Sequence, residues 1–463
     1  MRPLELRSAA SPRSTSRRAL LAGSVGNLVE WYEFGVYGCL ATVIAANFFT
    51  PAAGTPGAAG GVEALVVTYA SFALAFFFRP VGALLFGRLG DRLGRRPTLI
   101  VVVGLMTLAT TMIGLLPTRA AIGAAAPWLL TLLRVLQGLS AGGEFGGAVS
   151  LMTEYAPPGR RGLYGAWQSF TVALGLLTGA GTAATLATVL PAEALRAWGW
   201  RIPFLLALPL GAVALWLRTA LEEPPGPSRP DRPARLDHPH SPHGPHRPDG
   251  PDGPAERART VEQARTRELA RAVALGIGRI MGWSAAGYTF LVVLPSYLQA
   301  TLGASLREAL LATALANVGF AASILPAGAL SDRIGRRPVM LCGALSIVAL
   351  SLPLVHLLQS PGASPWARAG AVLLAGALVG LLAGPGPAML AEMFPRRVRC
   401  TGLGLAYALT NAVFSGCAGL VITVLIARTG DPAVPAYYAA GACALSCPAL
   451  LTLCDHDHRE PLR

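Results

Sequence analysis

The stretch Gly87-Arg88-Leu89-Gly90-Asp91-Arg92-Leu93-Gly94-Arg95-Arg96-Pro97 returns later as Gly328-Ala329-Leu330-Ser331-Asp332-Arg333-Ile334-Gly335-Arg336-Arg337-Pro338, each copy set between two long apolar runs. Gly87, Gly90 and Gly94 permit the backbone angles of a short turn, and Pro97 and Pro338 are preset to start a helix, so both copies read as tight loops. They stand 241 positions apart (332 − 91). A second pair repeats the interval. Glu154-Tyr155-Ala156-Pro157, followed by Arg160-Arg161-Gly162, is echoed by Glu392-Met393-Phe394-Pro395 and Arg396-Arg397 at 238 positions (392 − 154). Two anchors at nearly one offset imply two homologous halves, each with one charged loop early and another later.

With 53% hydrophobic and 13% charged residues and a mean hydropathy of +0.51, a soluble globule of this length would expose far too much apolar surface, so the bilayer is the solvent. There is no Lys; all 38 basic residues are Arg, and against 24 acidic residues they give +14. That sign first suggests nucleic acid. The arginines, however, lie in the gaps between apolar runs, where they anchor topology beside anionic headgroups, which excludes a nucleic-acid partner. Seven cysteines is an odd number, and Cys39, Cys342, Cys417, Cys443 and Cys447 sit in apolar stretches, against both structural disulfides and thiolate metal sites. The Arg-, Ser- and Pro-rich start, Met1 to Arg18, precedes an apolar run that carries Glu30 and Glu33 and lacks a short signal-peptide core; it reads as a retained cytoplasmic tail.

At about 20 apolar residues per crossing, the chain holds about twelve spans: 18–48, 62–86, 97–117, 126–155, 161–190 and 199–220, then 270–300, 305–330, 338–358, 367–393, 399–428 and 433–454. The expected fold class is an all-α polytopic membrane protein with twelve transmembrane helices in two pseudo-symmetric halves. Its divisions are a tail at 1–17, a first half at 18–220, a linker at 221–268, a second half at 269–454 and a tail at 455–463. Arg gathers in alternate gaps: the N-terminal tail, Arg88 to Arg96, Arg160 and Arg161, the linker, Arg333 to Arg337, and Arg396, Arg397 and Arg399. The opposite gaps hold mostly single residues, Arg119, Arg196, Arg307, Arg368 and Arg428. The positive-inside rule then makes this a multi-pass cell-membrane protein with both termini in the cytoplasm. Between the halves, Glu222 to Arg267 is dominated by Pro, Arg, Asp, Gly and His and is expected to be a disordered cytoplasmic linker. His238, His240, His243 and His246 cluster there without Cys or ordered flanks, so a spacer is favoured over a metal site.

Ionisable groups inside spans cost at least a few kcal/mol each and are functional suspects. Glu30 and Glu33, three apart, share one helix face. Glu30 and Glu144 both fall roughly 16 to 18 Å from the cytoplasmic ends of their spans at 1.5 Å per residue, near the bilayer midplane. A carboxylate there is suited to exchange a proton and so to couple to a proton gradient. The alternative is a structural ion pair with Arg79 or Arg134. Either arginine could instead hold a substrate carboxylate through its planar fork. Arg279, roughly 14 Å into span seven, is the comparable charge of the second half, and snorkelling could explain it. Gly138, Gly142 and Gly146 form a smooth stripe for close helix packing on span four, widened by Gly143 and Gly147. Trp31, Tyr32, Gln137, Trp167, Gln168, Tyr288, Asn317 and Asn411 are candidates to line a polar pathway; each alone is as well explained by an interhelical hydrogen bond or a core aromatic.

The repeated loop resembles the signature between helices two and three of the major facilitator superfamily, with its weaker counterpart between helices eight and nine. More narrowly, Gly26-Asn27 through Glu30-Trp31-Tyr32-Glu33-Phe34 to Tyr37-Gly38, Arg79-Pro80-Val81-Gly82, Gln137-Gly138 through Gly142-Gly143-Glu144 to Gly147-Ala148, and Trp198-Gly199-Trp200-Arg201-Ile202-Pro203-Phe204 resemble the metabolite:proton symporter family. Pro295-Ser296-Tyr297-Leu298 and Pro435-Ala436-Tyr437-Tyr438 fit it too. The resemblance implies two six-helix bundles around a central cavity, alternating access, and uptake of a small polar metabolite with protons; family substrates include proline, betaine, α-ketoglutarate, citrate and shikimate. It also implies a gating role for the loop residues: Asp91 toward the start of helix eleven, completed by Gly87, Arg92, Gly94, Arg95 and Arg96, with Asp332, Arg333, Gly335, Arg336 and Arg337 in the second copy. The chain departs from the pattern with Glu33 where family members usually carry Asp, with its long His- and Pro-rich linker, and by stopping soon after span twelve without the coiled coil that tunes osmotic sensing in proline/betaine members.

The leading expectation is therefore a secondary transporter, not an enzyme, that imports a small metabolite with protons; its partners are that substrate, protons and lipid, it needs no cofactor beyond the gradient, and it works as a monomer. A drug/proton exporter is the alternative within transport, although span five lacks the Gly-Pro motif typical of such antiporters. A non-transporting membrane sensor is the alternative from another class. A membrane enzyme is disfavoured because the only His in a span is His356.

Overall fold

The structure is a computed structural model that describes residues 12–50, 61–93, 95–142, 144–154, 156–220, 254–395 and 398–454; the side chains of residues 12–23, 91, 93, 95, 96, 144, 151, 218, 220 and 254–266 are also outside the description. The His cluster of the linker, most of both expected tails, residue 94, and the side chains of Asp91, Arg95, Arg96 and Glu144 thus lie outside the described residues.

Among the described residues, ten helical stretches are long and apolar enough to cross a membrane, and an eleventh is a pair, Ser24–Cys39 and Ala41–Phe49, bent by 62°. The fourth expected span is in two pieces, Ala125–Ala141 and Glu144–Glu154, each shorter than a crossing needs. The seventh begins at Pro254 and runs as helix to Tyr288, so its first turns lie in the stretch that composition assigns to the linker.

The repeated motif is not a loop. Span two is helical over Gly61–Leu93 and span three over Arg95–Leu115, so Gly87 and Gly90 lie inside a helix. In the second copy, Leu306–Ile334 and Arg336–Gln359 are separated by Gly335 alone, at φ 98°. That left-handed angle is open to glycine at little cost. Asp332 and Arg333 therefore belong to the last turn of one helix, and Arg336 and Arg337 to the first turn of the next.

Apolar lipid gives helices no hydrophobic reason to associate, so close backbone approach must hold them. The glycine stripe provides it. A Cβ on Gly138 or Gly142 would collide with the backbone of Ala75 or of Arg79 and Ala83 on span two, and one on Gly146 would collide with the Cys400 carbonyl on span eleven. Span five packs against spans one and eight, and span two against spans four and eleven. The five–eight and two–eleven contacts exchange under a twofold that maps helix n onto n + 6, the relation the sequence repeat demands. Trp128 and Trp366, 238 positions apart (366 − 128) at the starts of spans four and ten, are 77% and 87% exposed, the residue type and span-end position that suit a membrane interface.

Candidate functional site

Span one turns its charged face inward. Glu30 and Glu33 are both buried, as are Arg79 on span two and Arg134 on span four. None is left facing lipid, which is where an ionised side chain would be most costly.

The four form two systems. Arg79 Nη2 lies 3.3 Å from Glu30 Oε1, and its guanidinium rests over the rings of Phe76 at 4.3 Å, Phe34 at 4.5 Å and Trp31 at 5.6 Å. Ring faces stabilise a buried cation without occupying its N–H groups, and Arg79 Nε and Nη2 have no hydrogen-bond acceptor. Arg134 is packed likewise against Tyr37 at 4.0 Å and Phe72 at 4.8 Å. Its Nη1 donates to Gln137 Oε1 at 2.7 Å, Gln137 Nε2 donates to Thr110 Oγ1 at 2.5 Å, and the Thr110 hydroxyl donates to Glu33 Oε2. Glu33 and Arg134 are thus joined through two neutral side chains, with Glu33 Oε1 and Arg134 Nε and Nη2 unpartnered. Thr110 carries no mark in the sequence: a hydroxyl in an apolar span is usually satisfied by its own helix, and here the Met106 carbonyl, 3.0 Å from Thr110 Oγ1, competes with Glu33 for the one proton.

Between the halves is a small cavity of about 40 Å³ lined by Trp31, Ser169, Trp283, Ser284, Tyr288, Tyr407 and Asn411 together with aliphatic side chains. Beside it, a chamber of about 10 Å³ is bounded by Asn27, Glu30, Arg79, Gly142 and Phe145, with Trp31 and Tyr407 as shared walls. Phe145 of span four stacks on Tyr407 of span eleven at 3.4 Å. The Tyr288 hydroxyl, in the wall of the larger cavity, is buried and unpartnered.

Of the pathway candidates, Trp31, Tyr288 and Asn411 are brought together in this cavity, with Asn411 accepting from Ser415 Oγ at 2.7 Å. The others go elsewhere. Tyr32 donates to the Pro203 carbonyl of span six at 2.7 Å, and Gln137 belongs to the relay. Trp167 is 38% exposed and donates to Ser24 Oγ. Gln168 is buried with its amide unpartnered, and its carbonyl accepts from Asn27 Nδ2. Asn317 donates to the Thr313 and Leu291 carbonyls. Arg279 spans from span seven to the end of span twelve, donating to the Ala449 and Thr452 carbonyls and Thr452 Oγ1; a cation at a helix C-terminus is favourable there. Trp283, Ser284 and Tyr407 were missed in the sequence, where each looks like an ordinary core or interface residue.

On the Arg-rich face the halves are latched reciprocally. Asp332 accepts from the Gly162 and Leu163 amides at 2.7 and 2.9 Å, capping the start of span five across the interface. Arg336 donates to Asp332 at 2.8 Å and forks onto Glu392 at 3.0 and 3.3 Å. Arg161 of the first half lies 3.7 Å from Glu392 of the second, and Arg399 of the second 2.7 Å from Glu154 of the first. Both partners are related by 238 positions (399 − 161, 392 − 154), so the two pairs are images under the pseudo-twofold. On the opposite face, Thr42 donates to Gln299 at 3.0 Å and the Tyr69 and Ser296 hydroxyls meet at 2.5 Å. The halves touch on both faces.

Two helical halves latched around a small polar cavity, with buried carboxylates and arginines inside the first and buried ion pairs along the seam, are the build of a multi-pass membrane transporter. The first half matches the family model described as "Sugar (and other) transporter" over residues 19–226, and the second matches "Major Facilitator Superfamily" over 275–463. The chain belongs to the major facilitator superfamily and, within it, to the metabolite:proton symporter family. It is 34% identical to the proline/betaine transporter of Salmonella typhimurium (strain LT2), over 91% of this chain and 80% of that one. It is 35% identical to the alpha-ketoglutarate permease of Escherichia coli (strain K12), over 88% and 87%, and 33% identical to the citrate-proton symporter of Klebsiella pneumoniae, over 91% and 88%. A partially occluded inward-open structure of the xylose transporter XylE from E. coli shares the fold, with a TM-score of 0.68, 17% identity and coverage of 95% and 97%.

Proposed function

We propose that this protein imports a small carboxylate-bearing metabolite, a zwitterion or organic acid of the kind its relatives' names print, together with protons. One observation carries the reading: a fully buried carboxylate, Glu33, is wired through Thr110 and Gln137 to a fully buried cation, Arg134, inside the first half. A proton arriving at Glu33 changes the charge of that network without disturbing lipid, and the reciprocal latch gives the halves a seam to open and close. The halves are residues 18–220 and 269–454, joined by a linker at 221–268, with tails at 1–17 and 455–463; both termini face the cytoplasm of the cell membrane, and a single chain suffices. Glu30, Arg79 and Glu144 join Glu33 and Arg134 as coupling and substrate candidates, with Trp31, Tyr288 and Asn411 as cavity contacts. The gating set is Gly87, Asp91, Arg92, Gly94, Arg95 and Arg96 with Asp332, Arg333, Gly335, Arg336 and Arg337.

A proton motive force of about 150 mV is worth roughly 3.5 kcal/mol per charge, enough for a few-hundredfold accumulation. In vesicles holding the purified protein, an acid-outside gradient should drive concentrative uptake of radiolabelled proline, glycine betaine, α-ketoglutarate or citrate, and a protonophore should abolish it. Uptake indifferent to the gradient would reject proton coupling.

A further inference from the structure

Arg79 is 97% buried by its 3% exposure, and its immediate surroundings on one side are aromatic faces. Those faces fix the guanidinium but take none of its N–H groups; Nε has no acceptor, and Nη2 makes the Glu30 ion contact without a hydrogen bond. A buried guanidinium prefers a planar two-point acceptor. Glu30 provides a single 3.3 Å ion contact instead. The chamber they share is about 10 Å³, about the volume of one water-sized sphere. It cannot admit a second carboxylate while Glu30 stays.

We infer that Glu30 is a resident stand-in for the substrate: the carboxylate of an entering metabolite displaces Glu30 from Arg79, and the displaced Glu30 takes up a proton. This rests on the reading of the cavity as the substrate site and says how binding there obliges protonation. The larger cavity shares the Trp31 and Tyr407 walls with the chamber, so the body of the metabolite lies against Trp31, Tyr288 and Tyr407 while its carboxylate reaches Arg79. Two anions cannot share one buried cation without a large electrostatic cost. Protonation removes that cost, with the proton drawn from solution. The exchange is symmetric by linkage: protonating Glu30 frees Arg79 and tightens substrate binding by the same factor. Among the described residues, the titratable and charged groups that interact with Glu30 include Glu33 on its own helix, Arg79 on span two, in ion contact at 3.3 Å, Tyr288 on span seven and Tyr407 on span eleven.

The test is equilibrium binding without any gradient, so it is read separately from transport. Radiolabelled proline, glycine betaine, α-ketoglutarate and citrate are bound to the purified full chain across pH 5.5 to 8. In the wild type, affinity for the probe that binds should fall by up to about tenfold per pH unit, the slope of one proton taken up with each molecule, and binding in weakly buffered solution should take up about one proton per molecule. Glu30→Gln should bind equally at all pH values, near the acid wild-type affinity, without proton uptake; Arg79→Gln should lose at least tenfold in affinity throughout. A wild type that binds without taking up protons overturns the exchange even if the variants fail to fold, as does a Glu30→Gln protein that keeps the wild-type slope. Binding of none of the four probes overturns it as well. Gradient-driven uptake alongside pH-independent binding would sink the exchange and leave the symport reading standing; proton-linked binding without gradient-driven uptake would do the reverse.

Discussion

The two halves share a frame but not a charge distribution. In the first, Glu30, Glu33, Arg79 and Arg134 are buried around the middle of spans one, two and four. The second half meets them with neutral groups, Ser284, Tyr288, Tyr407 and Asn411, around the cavity. Its buried arginines, Arg279, Arg336 and Arg399, instead hold helix ends and the seam on the Arg-rich face. The duplication has kept what a rocking motion requires, reciprocal contacts at the seam, and has let the interior diverge. A charge network confined to one half keeps its internal geometry while its access to either side changes with the other half's position, which suits coupling better than a network divided by the moving interface.

The largest effect that tests this contrast is at Glu33. Glu33→Gln keeps the side chain's shape and the Thr110 contact but removes one exchangeable proton, so gradient-driven accumulation should fall about a hundredfold, the share of one coupled charge. Counterflow in vesicles without a gradient should persist, with protein amount checked by blotting. Loss of both together would mean that Glu33 holds the fold rather than the coupling. An intermediate effect belongs to the second half. Tyr288→Phe removes a buried hydroxyl that has no partner within the protein; if it serves the substrate, the concentration for half-maximal uptake should rise about tenfold, the size of one lost hydrogen bond to a ligand, while the response to the pH gradient is retained. A Tyr288→Phe protein whose coupling ratio changes would erase the division of labour between halves.

Most of the spans and the duplication were legible, because hydrocarbon imposes length and polarity rules that few sequences satisfy by accident. The motif was misread as two loops because its glycines were counted as turn formers; Gly87 and Gly90 are instead helical, and the positive φ falls on Gly335. Helical spacing placed Glu30 and Glu33 on one face but could not say which neighbour each would meet. Glu30 found Arg79 directly, whereas Glu33 reached Arg134 only through Thr110, an unremarkable residue in an apolar run. Trp31 and Tyr32 are adjacent, about 100° apart around the helix. One lines the cavity and the other bonds span six, a choice made by packing that no local pattern encodes.

The smallest expected effect lies in the seam, where the pseudo-twofold is closest but not perfect. Glu154 is 40% exposed at its side chain and Glu392 only 7%. Arg399, facing Glu154, also donates to the Ala391 and Phe394 carbonyls, so neutralising Glu154 leaves that arginine still bonded, and an exposed ion pair contributes little on its own. Glu392 is buried under the fork of Arg336 with Arg161 beside it, so neutralising it leaves two cations close together with less to hold them. Glu392→Gln should therefore slow gradient-driven uptake about fivefold and Glu154→Gln no more than about twofold. Equal losses would show that the seam works as a symmetric pair despite its unequal burial, and would move the asymmetry of the molecule wholly into its interior.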